Sequence, residues 1–206
     1  MTLIEVAAVI VAVLILLALL LPALAAAKKK SSKINCTNDL KQIGLACLIW
    51  EGDNGDMLPM RISINNGGAM ELVRMGNAVS VFQVMSNELS TPKVLVCPSD
   101  TNSFYASNFS SLAGSNISYF VGVDVTNTEN PHQIFSGDCN FEIGGTPVKS
   151  GLVSIWKNHS VAWSSARHRY AGNLSFADGS VEATTTRSMQ THFIQTGLAT
   201  NRLAIP

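Results

Sequence analysis

Charge is scarce in this chain. Asp, Glu, Lys and Arg make up 14% of its 206 residues, and 14 basic side chains balance 14 acidic ones. Without a cationic excess it is no polybasic nucleic-acid binder, and 47% hydrophobic content at zero net charge excludes an intrinsically disordered chain. Patterns for catalysis and metal binding are missing as well. Ser164 and Ser165 have no nucleophile-elbow sequence around them. Glu51, Asp53, Asn54 and Asp56 lack EF-hand spacing and read as a solvated turn, and His159, His168 and Asp178 contain no closely spaced zinc pair. No internal repeat is present. The expectation is a chain that is not an enzyme and carries no cofactor and no metal.

What is abundant sits in one place. Among the first 27 residues only Thr2, Glu5 and Pro22 fall outside the hydrophobic set. Residues 6–27 are uncharged, which at about 1.5 Å per residue is roughly 33 Å of helix, enough for a hydrocarbon core of about 30 Å. The run is too long for a signal-peptide core and lacks the basic residues that would precede one, so it is expected to stay as a membrane span. Lys28, Lys29, Lys30 and Lys33 follow at once. Charge is partitioned too: residues 1–50 carry five basic and two acidic groups, residues 51–150 four and ten, the remainder five and two. A basic neck thus joins an apolar rod to a head with an acidic middle.

Two residues do not suit a plain anchor. Glu5 places a carboxylate in apolar surroundings, where a cationic partner is expected; the terminal amine of its own chain or of a neighbouring chain is the nearest kind. Pro22 removes one backbone hydrogen bond, so the helix is expected to kink or open near residues 18–22.

Beyond the neck, Cys36, Leu40, Ile43, Cys47 and Trp50 are spaced 4, 3, 4 and 3, one face of a helix continuous with the span. Gly52 and Gly55 should end it. Further on, the pattern predicts a helix over residues 69–89 and strands over 94–97, 117–123, 133–135, 152–156, 173–177 and 180–183. Strands after helices with short turns give an α+β fold with antiparallel pairing. Three regions follow: 1–27, the apolar membrane or filament-core segment; 28–54, the neck and amphipathic half of the same helix; 55–206, a globular α+β head. Asp178-Gly179 is the strongest hairpin signal, and a two-residue loop would set Phe176 opposite Val181 and Leu174 opposite Ala183. His168 is expected to pack beside it. Asn35, Asn108, Asn116, Asn158 and Asn173 each open an Asn-x-Ser/Thr triplet, a weak glycosylation signal. Cys36 and Cys47 lie about 16 Å apart by helical rise and cannot pair, which leaves two full pairings of the four cysteines, or four reduced thiols.

The N-terminus Met1-Thr2-Leu3-Ile4-Glu5-Val6, with its apolar run and Pro22, resembles the mature end of type IV pilins and type II secretion pseudopilins. Three further elements are similar to the pilin-like proteins of planctomycete and verrucomicrobial bacteria. They are Cys36-Thr37-Asn38-Asp39-Leu40-Lys41-Gln42-Ile43-Gly44-Leu45-Ala46, in which Asp39 is an inserted residue; Cys97-Pro98-Ser99-Asp100; and His168 followed after nine residues by Asp178-Gly179. The resemblance implies a lollipop: a long N-terminal helix packed on a C-terminal antiparallel sheet. It implies cleavage by a prepilin peptidase with N-methylation of Met1, pairing of Glu5 with a neighbour's amine, and an inner-membrane assembly machinery. The subunit would leave the membrane by self-association into a helical filament on the cell surface. It also favours a Cys36–Cys97 disulfide, because both cysteines lie in the family-like elements. The positive-inside rule alone would put the lysines in the cytoplasm; the family's basic leader implies the opposite orientation. The expected function is therefore a structural pilin. The alternatives are a pseudopilin of a short periplasmic filament, or an anchored binding or enzymatic head using His168 and Asp178.

Overall fold

The structure, a computed structural model, describes residues 2–125 and 130–206. Helix α1 runs from Leu3 to Asp53, 51 residues, or about 77 Å of helix. Thr2 caps its start, and at its end the Asn54 amide donates to the Glu51 carbonyl while Gly55 and Asp56 turn the chain at positive φ. All five residues of the predicted stripe are buried in the head. Pro22 does not open the isolated helix, which is unbroken from end to end. Proline removes only the bond to the carbonyl four residues back, and the bonds on either side hold the turn.

The predicted helix over residues 69–89 is instead three: α2 (Met70–Arg74), α3 (Ala78–Val84) and α4 (Ser86–Leu89). The first break falls at Gly76, which sits at φ +89 where a Cβ would lie 2.3 Å from the backbone nitrogen of Leu152. Asn77 then starts α3 by accepting from the Ser80 amide at 3.3 Å. Residues 94–97 are not a strand. Pro92 opens a 3₁₀ turn, Pro92–Leu95, which Thr91 caps.

The head continues through β1 (Tyr119–Gly122), β2 (Ile134–Asp138), β3 (Phe141–Ile143), β4 (Thr146–Pro147), β5 (Gly151–Trp156), β6 (Val161–Trp163), β7 (Ala171–Phe176), β8 (Val181–Thr185), α5 (Thr186–Gln195) and β9 (Thr200–Ile205). Six strands form one antiparallel sheet in the order β5-β9-β1-β2-β7-β8, and β4-β3-β6 form a second, small sheet. The fold is α+β, a long helix carrying a β-sheet head. The central strands β1, β2 and β7 of the large sheet are buried on both faces. Cys36, Leu40, Ile43 and Trp50 of α1 share one cluster with Tyr119 and Val121 of β1. Phe120, Leu174 and Leu203 join Met189 and Phe193 of α5 and Trp163 of β6 in the other. Two-sided burial explains why the central strands show no clean alternation of apolar and polar residues.

The β7–β8 hairpin forms where expected but one residue out of register: Ser175 pairs with Val181, Leu174 with Glu182 and Asn173 with Ala183. The Phe176 amide donates to Ser180 across a loop that includes Ala177, and Gly179 sits at φ +79. The extra residue sends Leu174 and Val181 to opposite faces. With both faces covered, both find a core.

Candidate functional site at the junction of helix and head

The chemistry-bearing residues gather where the neck of α1 meets the head. Cys36 on α1 is joined to Cys97, just beyond the 3₁₀ turn, with Cα atoms 5.1 Å apart. Cys47 and Cys139 are free. Three residues after Cys97, Asp100 accepts from the Asn102 amide at 3.0 Å, the Ser103 hydroxyl at 2.7 Å and the Ser118 hydroxyl at 2.8 Å. The Arg167 guanidinium lies 2.5 Å from the same carboxylate and donates to the Ser118 carbonyl. Burial works against ionisation of Asp100, but the Ser103 hydroxyl, the Arg167 charge and the other donors hold its carboxyl below the usual carboxylate range.

His168 does not meet Asp178. Its Nε2 lies 3.5 Å from Cys97 Sγ and 3.6 Å from Asp138 Oδ2, with 3% of the histidine side chain and none of the aspartate exposed. Asp138 also accepts from the Asn173 amide at 2.7 Å and side chain at 2.8 Å, and Asn173 in turn accepts from Thr37 of α1 at 3.1 Å. Burial drives both members of the pair toward neutrality, the carboxyl upward and the imidazole downward. Asp178 stays at the exposed tip of the hairpin, accepting from the Ser180 amide at 2.9 Å. The reason is topological: the nine residues between them carry the chain along β7 and away from His168.

The hairpin tip is nevertheless part of the junction. A Cβ at Gly44 would lie 3.2 Å from Ser175 Oγ and 3.3 Å from Gly179 Cα, and one at Gly179 would lie 2.8 Å from Leu48 Cδ1. Gly44 and Gly179 let the turn sit directly on α1. Helix and head are therefore fastened in three ways: the Cys36–Cys97 bond, the hydrogen-bond chain from Thr37 through Asn173 to Asp138, and the close approach of Gly179 to α1.

As a reaction centre this cluster is poorly equipped. Among the described residues His168 has Cys97 and Asp138 as its polar neighbours, and the Cys97 sulfur is held in the disulfide. Nucleophilic catalysis needs a free hydroxyl or thiol beside the base. Cys36, Cys97 and His168 come within metal-ligand distances of one another, but the two sulfurs are bonded to each other.

At the far end of α1, the Thr2 amide donates to Glu5 Oε2 at 2.7 Å and the Glu5 amide to Thr2 Oγ1 at 3.4 Å, a capping box. In the single chain Glu5 serves its own helix through Oε2. Met1, the expected site of N-methylation and the bearer of the terminal amine, lies outside the described residues.

Asp39, on α1 between the buried Cys36 and Leu40, is half-buried. Burial pushes the Asp39 carboxyl up to about 6. A raised carboxyl destabilises the fold once it ionises: the penalty is absent below the unfolded value of about 4 and complete above pH 6. Asp39→Asn is expected to stabilise the full chain in detergent by about 1 kcal/mol at pH 8, discounted for partial solvent screening, and to leave it unchanged near pH 4. Melts at the two pH values check this; equal shifts at both would refute it.

Among protein-family models, curated proteins and solved structures, none matches this chain.

Proposed function

We propose that the chain is a structural subunit of an extracellular type IV pilus-like filament. One observation carries the reading: α1 is a single rod whose apolar N-terminal half is wholly exposed while its C-terminal half is locked into a head. An apolar surface of that size must be covered by lipid or by other copies of the same surface. Lipid covers it before assembly, and neighbouring helices cover it afterwards in a filament core. Copies joined by a heterologous, non-closing contact along the rod build a helical polymer. The fastenings at the junction serve this role by transmitting force between rod and head, and the head has no catalytic task. Processing of Met1 by a prepilin peptidase and extrusion by an inner-membrane machinery belong to the same reading.

Glu5 is the residue to test. Burying its carboxylate among apolar helices is tolerable only against a cation, and the amine of a neighbour supplies one in register. Glu5→Leu is expected to leave the subunit at normal levels in the membrane and to abolish surface fibres, scored by electron microscopy with mass spectrometry of sheared material. Normal fibres from that variant would remove the assembly role. Loss of secreted enzymes with surface fibres intact, on deletion of the whole chain, would transfer the reading to a secretion pseudopilin.

A further inference from the structure

A cleft of about 580 Å³ opens between the neck of α1 and the head. Ala25, Lys28, Lys29 and Lys33 line one wall, at spacings that put them on a single helical face. Ser99 and Arg169 stand on the other, contributed by the loops that also bring Asp100 and His168 into the junction. Among the described residues no acidic side chain lines it. Among the described residues none of Lys28, Lys29, Lys33 and Arg169 forms an ion pair with the chain's own acids, whereas Arg167 is already committed to Asp100. A set of free cations converging from the neck and from Arg169, 136 residues beyond Lys33 in sequence, is an anion site held by the tertiary fold.

Position decides which anion. Ala25 belongs to the uncharged run and Lys28 is the first charged residue after it, so the cleft straddles the boundary between hydrocarbon and headgroups. A ligand there meets an apolar edge on one side and ammonium groups on the other, the profile of an amphiphile rather than a soluble ion. Beside Arg169, the Tyr170 ring is 68% exposed, an amphipathic side chain suited to headgroup depth. We infer that the cleft binds the phosphate of an anionic phospholipid, with α1 and the head closing on the headgroup from opposite sides. The site requires the chain to be anchored in a bilayer; it does not require a filament. It would hold the head against the membrane until the subunit is withdrawn.

The head wall separates this site from the general attraction of juxtamembrane lysines for anionic lipid. Full-length chain in detergent is titrated with phosphatidylglycerol or phosphatidylcholine and read by native mass spectrometry. Wild type is expected to retain phosphatidylglycerol at least about tenfold better, and Lys29→Gln and Arg169→Asn should each weaken it about fivefold, the contribution of one cation near a charged headgroup. Asn suits the positive φ of residue 169, and Arg169→Lys, which keeps the charge, should retain most binding. Lys149→Gln, at an exposed residue that does not line the cleft, should change nothing. The site is refuted if the two lipids bind equally, or if Arg169→Asn binds phosphatidylglycerol as wild type does, which would leave only neck electrostatics. Displacement of the lipid by millimolar inorganic phosphate would assign the cleft to a soluble anion, and salt-sensitive self-association abolished by Arg169→Asn without lipid selectivity would assign it to the acidic middle of a second copy; either overturns the lipid assignment.

Discussion

Replacing both Cys36 and Cys97 by serine is expected to destabilise the head by about 4 kcal/mol. The bond closes a loop with a sequence separation of 61, and on the chain-entropy account its loss returns that much freedom to the unfolded state. For a domain whose whole stability is about 5–15 kcal/mol this is a large share, and a fall in Tm of roughly 8–16 °C follows for a protein of this size. The location makes the loss specific. Cys36 is the first buried residue of α1, so the bond fastens the neck at the point where the rod enters the head. In thermal melts in detergent, reductant should lower the Tm of wild type by as much as the double-serine substitution does, and should leave the Tm of the double-serine variant unchanged. Thiol counting gives the independent check: two free thiols in denaturant before reduction, at Cys47 and Cys139. Cys47 is buried and burial raises its thiol far above the ordinary range, so it should resist alkylation at neutral pH while the chain is folded. An unchanged Tm on reduction would dispose of the fastening role.

Asp100→Asn is expected to cost about 3 kcal/mol at neutral pH. Four donors converge on this carboxylate, and the side chain has 1% of its surface exposed against 13% for Arg167. Asparagine keeps the shape but removes the charge, leaving a half-buried guanidinium without its counterion, the costly way to break such a pair. The pH dependence identifies the cause. Because the folded carboxyl titrates below its unfolded value, the stability it provides is fully present above about pH 4 and is lost as the pH falls through the depressed value. Wild type and variant should therefore differ at pH 7 and converge at strongly acid pH. A gap of constant size would mean that packing, not charge, is what the substitution removed.

These residues show where reading the chain alone stops. The stripe from Cys36 to Trp50 was legible because a helix face repeats every three to four residues and needs no partner to be seen. Asp100 was visible only as the last residue of a Cys-Pro-Ser-Asp element, Arg167 not at all, and Asn173 only as a glycosylation triplet at the start of a predicted strand, although it is buried and bonded to Asp138. Asp138 carried no local signal. Partner choice among polar residues is made by the topology that brings β2, β7 and the 3₁₀ turn to one place, and no spacing along the chain encodes it. Helix α5 and strand β9 were missed for different reasons. Thr185, which caps α5, with Met189 and Phe193 four apart, is a recoverable helix signal. Strand β9 begins Thr-Asn-Arg and owes its place to pairing with β1 and β5, which supply neighbours on both edges.

The hairpin marks the same division more finely. Asp178-Gly179 announced a turn, because a residue without a Cβ at positive φ is a local requirement. Whether the loop held two residues or three was settled by the helix lying against Gly179 and the cores on either side of β7, which accept Leu174 on one face and Val181 on the other. By itself, then, the sequence determined the apolar rod, its basic neck, the buried stripe and the end of α1, all consequences of composition and periodicity over short distances. The tertiary structure alone decided that His168 serves Asp138 rather than Asp178, that Cys97, Asn173 and Gly179 together fasten the head to α1, and that lysines of the neck face an arginine of the head. Those are contacts between residues distant in the chain, and they exist only once the sheet has been assembled against the helix.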